Sequence, residues 1–282
     1  HLHLLVFIWG FTAILGALIS LDAIPLVWYR MSIAVLFVFI YFLLTKKSIK
    51  ISPKLILKFF IGGVIIALHW IAFFTAIKVS NVSVTLVSLS TGALFASLIE
   101  PLFFKRKLDL LELFFGLIVI SGLYIIFNID NGYTIGIIYG LIAAFLSALF
   151  SVLNGLYVRQ HDAEIISFYQ LLFGVLFITG FILLTTGFSV KEFTLTTSDI
   201  FYLVILSSIC TAYAFIVSVK LMKFLTPYTV MLTINLEPVY GIILAVLVFG
   251  EKEQMSSQFY IGALVIFFTV IINGIIKNKK TI

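Results

Sequence analysis

The stretch TVMLTINLEPVYGIILAVLVF, residues 229–249, sets an acid and a proline side by side in a run otherwise apolar enough to lie in lipid. A carboxylate is costly at that depth. Pro238 has no N–H to donate, so the carbonyl of Ile234 loses its helical partner. Asn235-Leu236-Glu237-Pro238 therefore reads as a functional site in a helix with loosened backbone pairing, the kind of interruption around which membrane transporters build binding sites.

Composition places the rest of the chain in the membrane as well. Hydrophobic residues make up 62% and charged residues 11%, and the mean hydropathy is +1.24, whereas soluble domains are roughly 45–50% apolar and about 25% charged. The net charge of +6 falls between the apolar runs and forms no basic stripe interleaved with aromatic residues, so it reads as a topology signal and no nucleic-acid partner is expected. Cys210 is the only cysteine, which excludes a disulfide framework, a thiolate metal cluster and a C-x-x-C redox pair.

A span needs about 17–25 apolar residues. That requirement predicts ten transmembrane helices near 2–20, 24–44, 57–78, 83–104, 111–128, 135–157, 165–185, 199–219, 227–249 and 257–276. Short connections such as 22–25, 46–53, 128–132 and 251–257 carry the usual turn residues and leave no room for a soluble domain. The chain opens on His1, so a natural start upstream is expected; no clear small-residue cleavage site follows the first span, which is kept in the mature protein. Alternating the spans puts thirteen Lys and Arg on one side, among them Lys46, Lys47, Lys105, Arg106, Lys107, Arg159, Lys277, Lys279 and Lys280, against Lys78, Lys191 and Lys252 on the other. By the positive-inside rule both termini are cytoplasmic, and the sharp asymmetry supports the number of spans.

Internal repetition comes next. Trp28-Tyr29-Arg30 with Val35-Leu36-Phe37 resembles Phe168-Tyr169-Gln170 with Val175-Leu176-Phe177, and Phe115-Gly116-Leu117-Ile118 resembles Ile261-Gly262-Ala263-Leu264. The displacements are 170 − 30 = 140 and 262 − 116 = 146 residues. Five helices per copy is odd, so the second copy enters from the opposite side: the prediction is an all-α integral membrane protein of two inverted five-helix repeats, residues 1–128 and 135–282. The later displacement sets Thr91-Gly92 opposite Glu237-Pro238, so Gly92 and Pro238 are the paired helix breaks, with close packing and a tolerated kink as the plainer readings.

On these residues the chain resembles the drug/metabolite transporter superfamily, and within it the EamA-type permeases with two EamA repeats. Trp9-Gly10, Tyr29-Arg30, Thr91-Gly92, Asn-Leu-Glu-Pro at 235–238 and Phe249-Gly250-Glu251 carry the resemblance over essentially the whole chain. It departs from the family pattern in the first half, with Lys105 where the second has Glu251 and Gly92 where the second has Pro238. The resemblance implies a central cavity opening alternately to each side, and export or exchange of small metabolites such as amino acids across the cell (inner) membrane.

Arg30 and Glu237 are the leading substrate-binding candidates. A guanidinium inside a span must face a partner or water, and it can clamp a carboxylate or phosphate with two parallel hydrogen bonds. A fixed ion pair with Glu237 or Glu100, or a side chain reaching outward to headgroups, is the structural alternative. Glu237 can meet a substrate ammonium or carry a coupling proton; a hydrogen-bonded structural acid is its alternative. Trp9, Tyr29, Trp70, Tyr169, Gln170 and Asn235 complete the substrate-binding set, and Ser147, Ser151, Asn154, Thr211 and Tyr213 add polar lining or interhelical glue. His69 is a candidate proton relay or a histidine bonded to a carbonyl, and Glu100, followed by Pro101 and the bases at 105–107, a candidate inner gate or interfacial salt bridge. Gly136, Gly140 and Ala144 form a small-residue row that reads as packing.

The histidines at 1, 3, 69 and 161 are widely separated and lack H-E-x-x-H spacing, and a hydrolytic serine needs a base near it while His69 is the only histidine well inside a span, so neither an enzyme nor a metal or other cofactor is expected. The sequence-based reading is a secondary transporter of a small polar metabolite embedded in the bilayer. A facilitator or exchanger of phosphorylated or nucleotide-linked metabolites, or a non-transporting membrane sensor, is the alternative.

Overall fold

The computed structural model describes residues 1–105, 107–108, 110–129, 131–185 and 187–280. Arg106 lies outside the described residues, as do the side chains of Lys277, Lys279 and Lys280. The described residues form helices and connections without a strand. In chain order the helices are α1 (Leu2–Leu18), α2 (Ala23–Thr45), α3 (Pro53–Val79), α4 (Val82–Leu89), α5 (Gly92–Phe104), α6 (Leu110–Ile129), α7 (Thr134–Tyr157), α8 (Ala163–Leu184), the single turn α9 (Val190–Phe193), α10 (Thr197–Ser207), α11 (Ala214–Leu221), α12 (Pro227–Ile234), α13 (Glu237–Phe249) and α14 (Ser257–Lys280).

Seven stretches among the described residues are long and apolar enough to cross a membrane. Three of these are composite: Val82–Phe104 joins α4 to α5, Thr197–Leu221 joins α10 to α11, and Pro227–Glu253 carries α12 and α13. The other expected spans lie on α1, α6 and α14. Leu44, Leu184 and Leu247 are 80%, 88% and 75% exposed, a surface that water would penalise and acyl chains would solvate. The protein is a multi-pass membrane protein.

Helix α3 is the hub. It packs along α7 and α8, and the crossing with α8 depends on Gly63, where a Cβ would stand 2.5 Å from the carbonyl oxygen of Gln170 and 2.9 Å from the amide nitrogen of Gly174. The small-residue row on α7 packs as expected: Gly136 lies against Ser80, and Gly140 against Ser88.

Connections meet in two groups, one at each end of the bundle. At the lysine-rich end Lys47 pairs with Glu164 at 3.0 Å, and the Tyr169 hydroxyl donates to the Ile49 carbonyl at 2.7 Å. At the other end Ser20 donates from its amide and its hydroxyl to Asp199, 2.7 Å each. There too the Tyr29 hydroxyl donates to the Phe193 carbonyl at 2.9 Å. Each contact ties a residue of the first half of the chain to one of the second.

The two interrupted stretches correspond residue for residue. Helices α4 and α12 have eight residues each, α5 and α13 thirteen each. All four boundaries share one displacement, 227 − 82 = 237 − 92 = 145. Gly92 therefore stands opposite Glu237 and Thr91 opposite Leu236, one residue away from the pairing that a displacement of 146 predicts. The loops absorb that residue.

Candidate functional site

Glu237 opens α13, where the positive end of the helix dipole favours an anion. The break precedes Pro238: Asn235 and Leu236 donate to the carbonyls of Leu232 and Thr233 at 3.2 and 3.1 Å, closing tight turns. The proline then occupies the first turn of α13, where a missing N–H costs no helical bond. The first half solves the same interruption with hydroxyls. Ser90 and Thr91 donate from their side chains to the carbonyls of Val87 and Ser88, 2.8 Å each.

Between these breaks lies a cavity of about 70 Å³. Leu89 and Ile234, the last residues of α4 and α12 and displaced by the same 145 residues, both line it, as do Arg30, Glu237, Trp9 and Trp70. Pockets that hold whole metabolites run to about 300–1,000 Å³, so this space has room for a few waters or one polar head group.

Arg30 is 1% exposed. Its Nε donates to the Thr211 hydroxyl oxygen at 2.7 Å, and its guanidinium lies 4.1 Å from the centroid of the Trp70 ring. The terminal nitrogen Nη1 is buried without a hydrogen-bond partner. Among the described residues no ion pair within 4.0 Å joins Arg30 to Glu237 or Glu100, and its burial leaves no route to headgroups. A charge-capable donor is thus held inside the protein with bonding capacity unspent, a situation that native interiors rarely tolerate without reason.

The holder of Arg30 is a local irregularity. Between α10 and α11, Ser208–Tyr213 form a π-helical turn, and the Thr211 hydroxyl donates to the carbonyl of Leu206 five residues back at 2.7 Å while accepting from Arg30. Such turns recur at functional sites because they re-aim side chains without ending a helix. Nothing in the residue types of 208–213 signals it. Cys210 belongs to the same turn and lines the cavity.

The remaining candidates divide. His69 donates from Nδ1 to the Ala143 carbonyl at 2.8 Å and also lines the cavity. Ser147 and Ser151 line the cavity beside Met231. Tyr29 and Tyr169 face loops at opposite ends, with the bonds described above. Gln170 donates from α8 to Asn154 of α7 at 2.7 Å, beside Gly62 of α3, and Asn235 lines a separate cleft of about 340 Å³ among α4, α13 and α14. Tyr213 is 46% exposed. Glu100 lies outside the cavity; it is 4% exposed and accepts from the backbone N–H of Tyr228 at 2.8 Å. Among the described residues no three His, Cys, Asp or Glu side chains group as metal ligands would.

A crystal structure described only as that of a protein superposes with a TM-score of 0.72 over 99% of this chain and 96% of its own, at 14% identity, which shows likeness of fold alone. No curated protein matches the chain. The model of the EamA-like transporter family matches residues 2–128 and again 134–275, so both halves of the molecule, with the interrupted stretches and the cavity they border, fall within it. The chain belongs to the EamA-like transporter family.

Proposed function

We propose that the protein is a secondary transporter that moves a small zwitterionic or anionic metabolite, with an amino acid or a related compound first in line, across the cell membrane by alternating access. In this reading the chain crosses the bilayer ten times as two inverted five-helix repeats, with both termini on the lysine-rich, cytoplasmic side. Arg30 holds the negative group of the substrate through its unspent Nη1 and a second nitrogen, the bidentate fork that a lysine lacks. Glu237 meets an ammonium or exchanges a proton. The observation that carries this reading is the buried, unpartnered Nη1 of a residue that lines a cavity bordered by both interruptions.

A wall that sets the Arg30 guanidinium and the Glu237 carboxyl among aromatic rings suits a zwitterion better than a phosphate dianion. Proteoliposome uptake with an amino-acid panel and a sugar-phosphate panel tests this directly. Arg30→Ala and Glu237→Gln are each expected to lower flux of the preferred substrate at least tenfold; unchanged flux in both removes the assignment of the site. A protein that moves no solute in sealed vesicles falls to the sensor alternative.

A further inference from the structure

Helices α4 and α12 start at opposite ends of the bundle, and each start is held by a carboxylate from the other half of the chain. Glu253 accepts from the backbone N–H groups of Val82 and Ser83 at 2.8 and 3.0 Å and from the Ser83 hydroxyl at 2.8 Å. Glu100 accepts from the N–H of Tyr228 at 2.8 Å. Both acids are 4% exposed. The local cap residues leave these donors open: Asn81 and Thr226 satisfy the N–H groups of Val84 and Thr229 instead. Pro227 contributes no N–H, so Tyr228 is the first donor that α12 can offer.

We infer that Glu253 and Glu100 are alternate latches, one at each end, of which the transport cycle releases one at a time. Helices α4 and α12 each run from a latch to a break beside the cavity, so swinging either about its break opens a path from that end to Arg30. With both latches engaged the space between the breaks is about 70 Å³, too little for a whole metabolite. Opening toward the end that carries Glu253 requires α4 to leave that acid; opening toward the lysine-rich end requires α12 to leave Glu100. The exchange is reciprocal, since an acid from the second half clamps the first and an acid from the first half clamps the second. The inference rests on the alternating-access reading but not on which solute is carried.

Cys210, the chain's lone cysteine, lines the cavity and supplies a native reporter. The full-length protein in sealed vesicles of known orientation is treated from either side with a membrane-impermeant methanethiosulfonate, and modification is followed by mass spectrometry. Wild-type protein is expected to react slowly from both sides. Glu253→Gln turns one acceptor into a donor facing donors; it is expected to speed modification several-fold from its own end alone, and Glu100→Gln several-fold from the lysine-rich end alone. Ser83→Ala removes one of the bonds to Glu253 and shifts sidedness in the same direction by a smaller factor; it carries the test where Glu253→Gln does not insert. Equal acceleration from both sides in the glutamine variants, or unchanged sidedness throughout, overturns the latches. Because the reagent needs no substrate, a wrong assignment of Arg30 and Glu237 shows as unchanged flux, and a wrong latch as unchanged sidedness.

Discussion

The two interrupted stretches share a geometry and differ in chemistry. In each, eight residues, a two-residue break and thirteen residues follow at the same spacing. The first break is uncharged and closes on itself through the hydroxyls of Ser90 and Thr91. At the second stands Glu237, 5% exposed and lining the cavity. Surroundings differ too: the stretch Val82–Phe104 is mostly buried in the protein, whereas Pro227–Glu253 is mostly not. One copy is thus packed inside the bundle and internally satisfied, while the other lies at its edge and brings a charge-bearing group inward. A shared backbone device lets both helices bend beside the cavity, and the chemistry is concentrated in one of them.

The largest test of that contrast is a matched pair. Glu237→Gln removes the charged partner, which at about 1.5–3 kcal/mol for a hydrogen bond to a charged group amounts to roughly a tenfold to hundredfold loss of uptake. Thr91→Ala at the first break removes one neutral bond worth about 1 kcal/mol of stability and is expected to leave uptake within about twofold. Equal losses in the two proteoliposome assays would break the asymmetry.

A smaller effect belongs to Thr211, which links the second half to Arg30. Thr211→Val keeps the shape of the side chain but strips both the acceptor for Arg30 and the donor to Leu206. Leaving a buried donor unsatisfied costs about 1–3 kcal/mol. The expected outcome is weaker apparent substrate affinity by about tenfold with maximal flux largely kept, because the guanidinium still rests on Trp70. A loss confined to maximal flux would show that the π-helical turn serves motion rather than binding.

How far these features were legible in the chain follows from what each residue costs. Arg30 and Glu237 announce themselves because a charge inside an apolar run is expensive wherever it points, and Trp9 and Trp70 lie near them in the wall. Tyr29 and Tyr169 do not follow, since a tyrosine satisfies its hydroxyl with any nearby carbonyl, and the carbonyls they reach belong to loops 164 and 120 residues away. These two bonds are still informative: the tyrosines match in the repeat, and each ties its helix to a loop of the other half. Glu253 escaped notice because it sits in a connection, where acids are ordinary, and only the fold brings Val82 and Ser83 onto it. The turn at 208–213 left no trace, because a π-helix needs one extra residue per turn and no particular residue type.

A further small effect bears on Gly92, the position equivalent to Glu237. A Cβ there would come within 2.5 Å of the Met231 terminal methyl group, with the Ala144 carbonyl oxygen at an ordinary 3.6 Å. The close neighbour is the free end of a flexible side chain, which can turn away at small cost. Alanine is favoured over glycine in a helix by about 1 kcal/mol, so Gly92→Ala should change stability by no more than about 1 kcal/mol, a thermal shift of a few degrees at most in detergent. Turning Met231 also moves its sulfur away from the Ser151 hydroxyl that bonds it at 3.4 Å, freeing a polar group in the cavity wall. Uptake is therefore expected to stay within about threefold of wild type. A loss approaching that of Glu237→Gln, at unchanged stability, would mean that the first interruption works on the substrate through its shape as the second does through its charge.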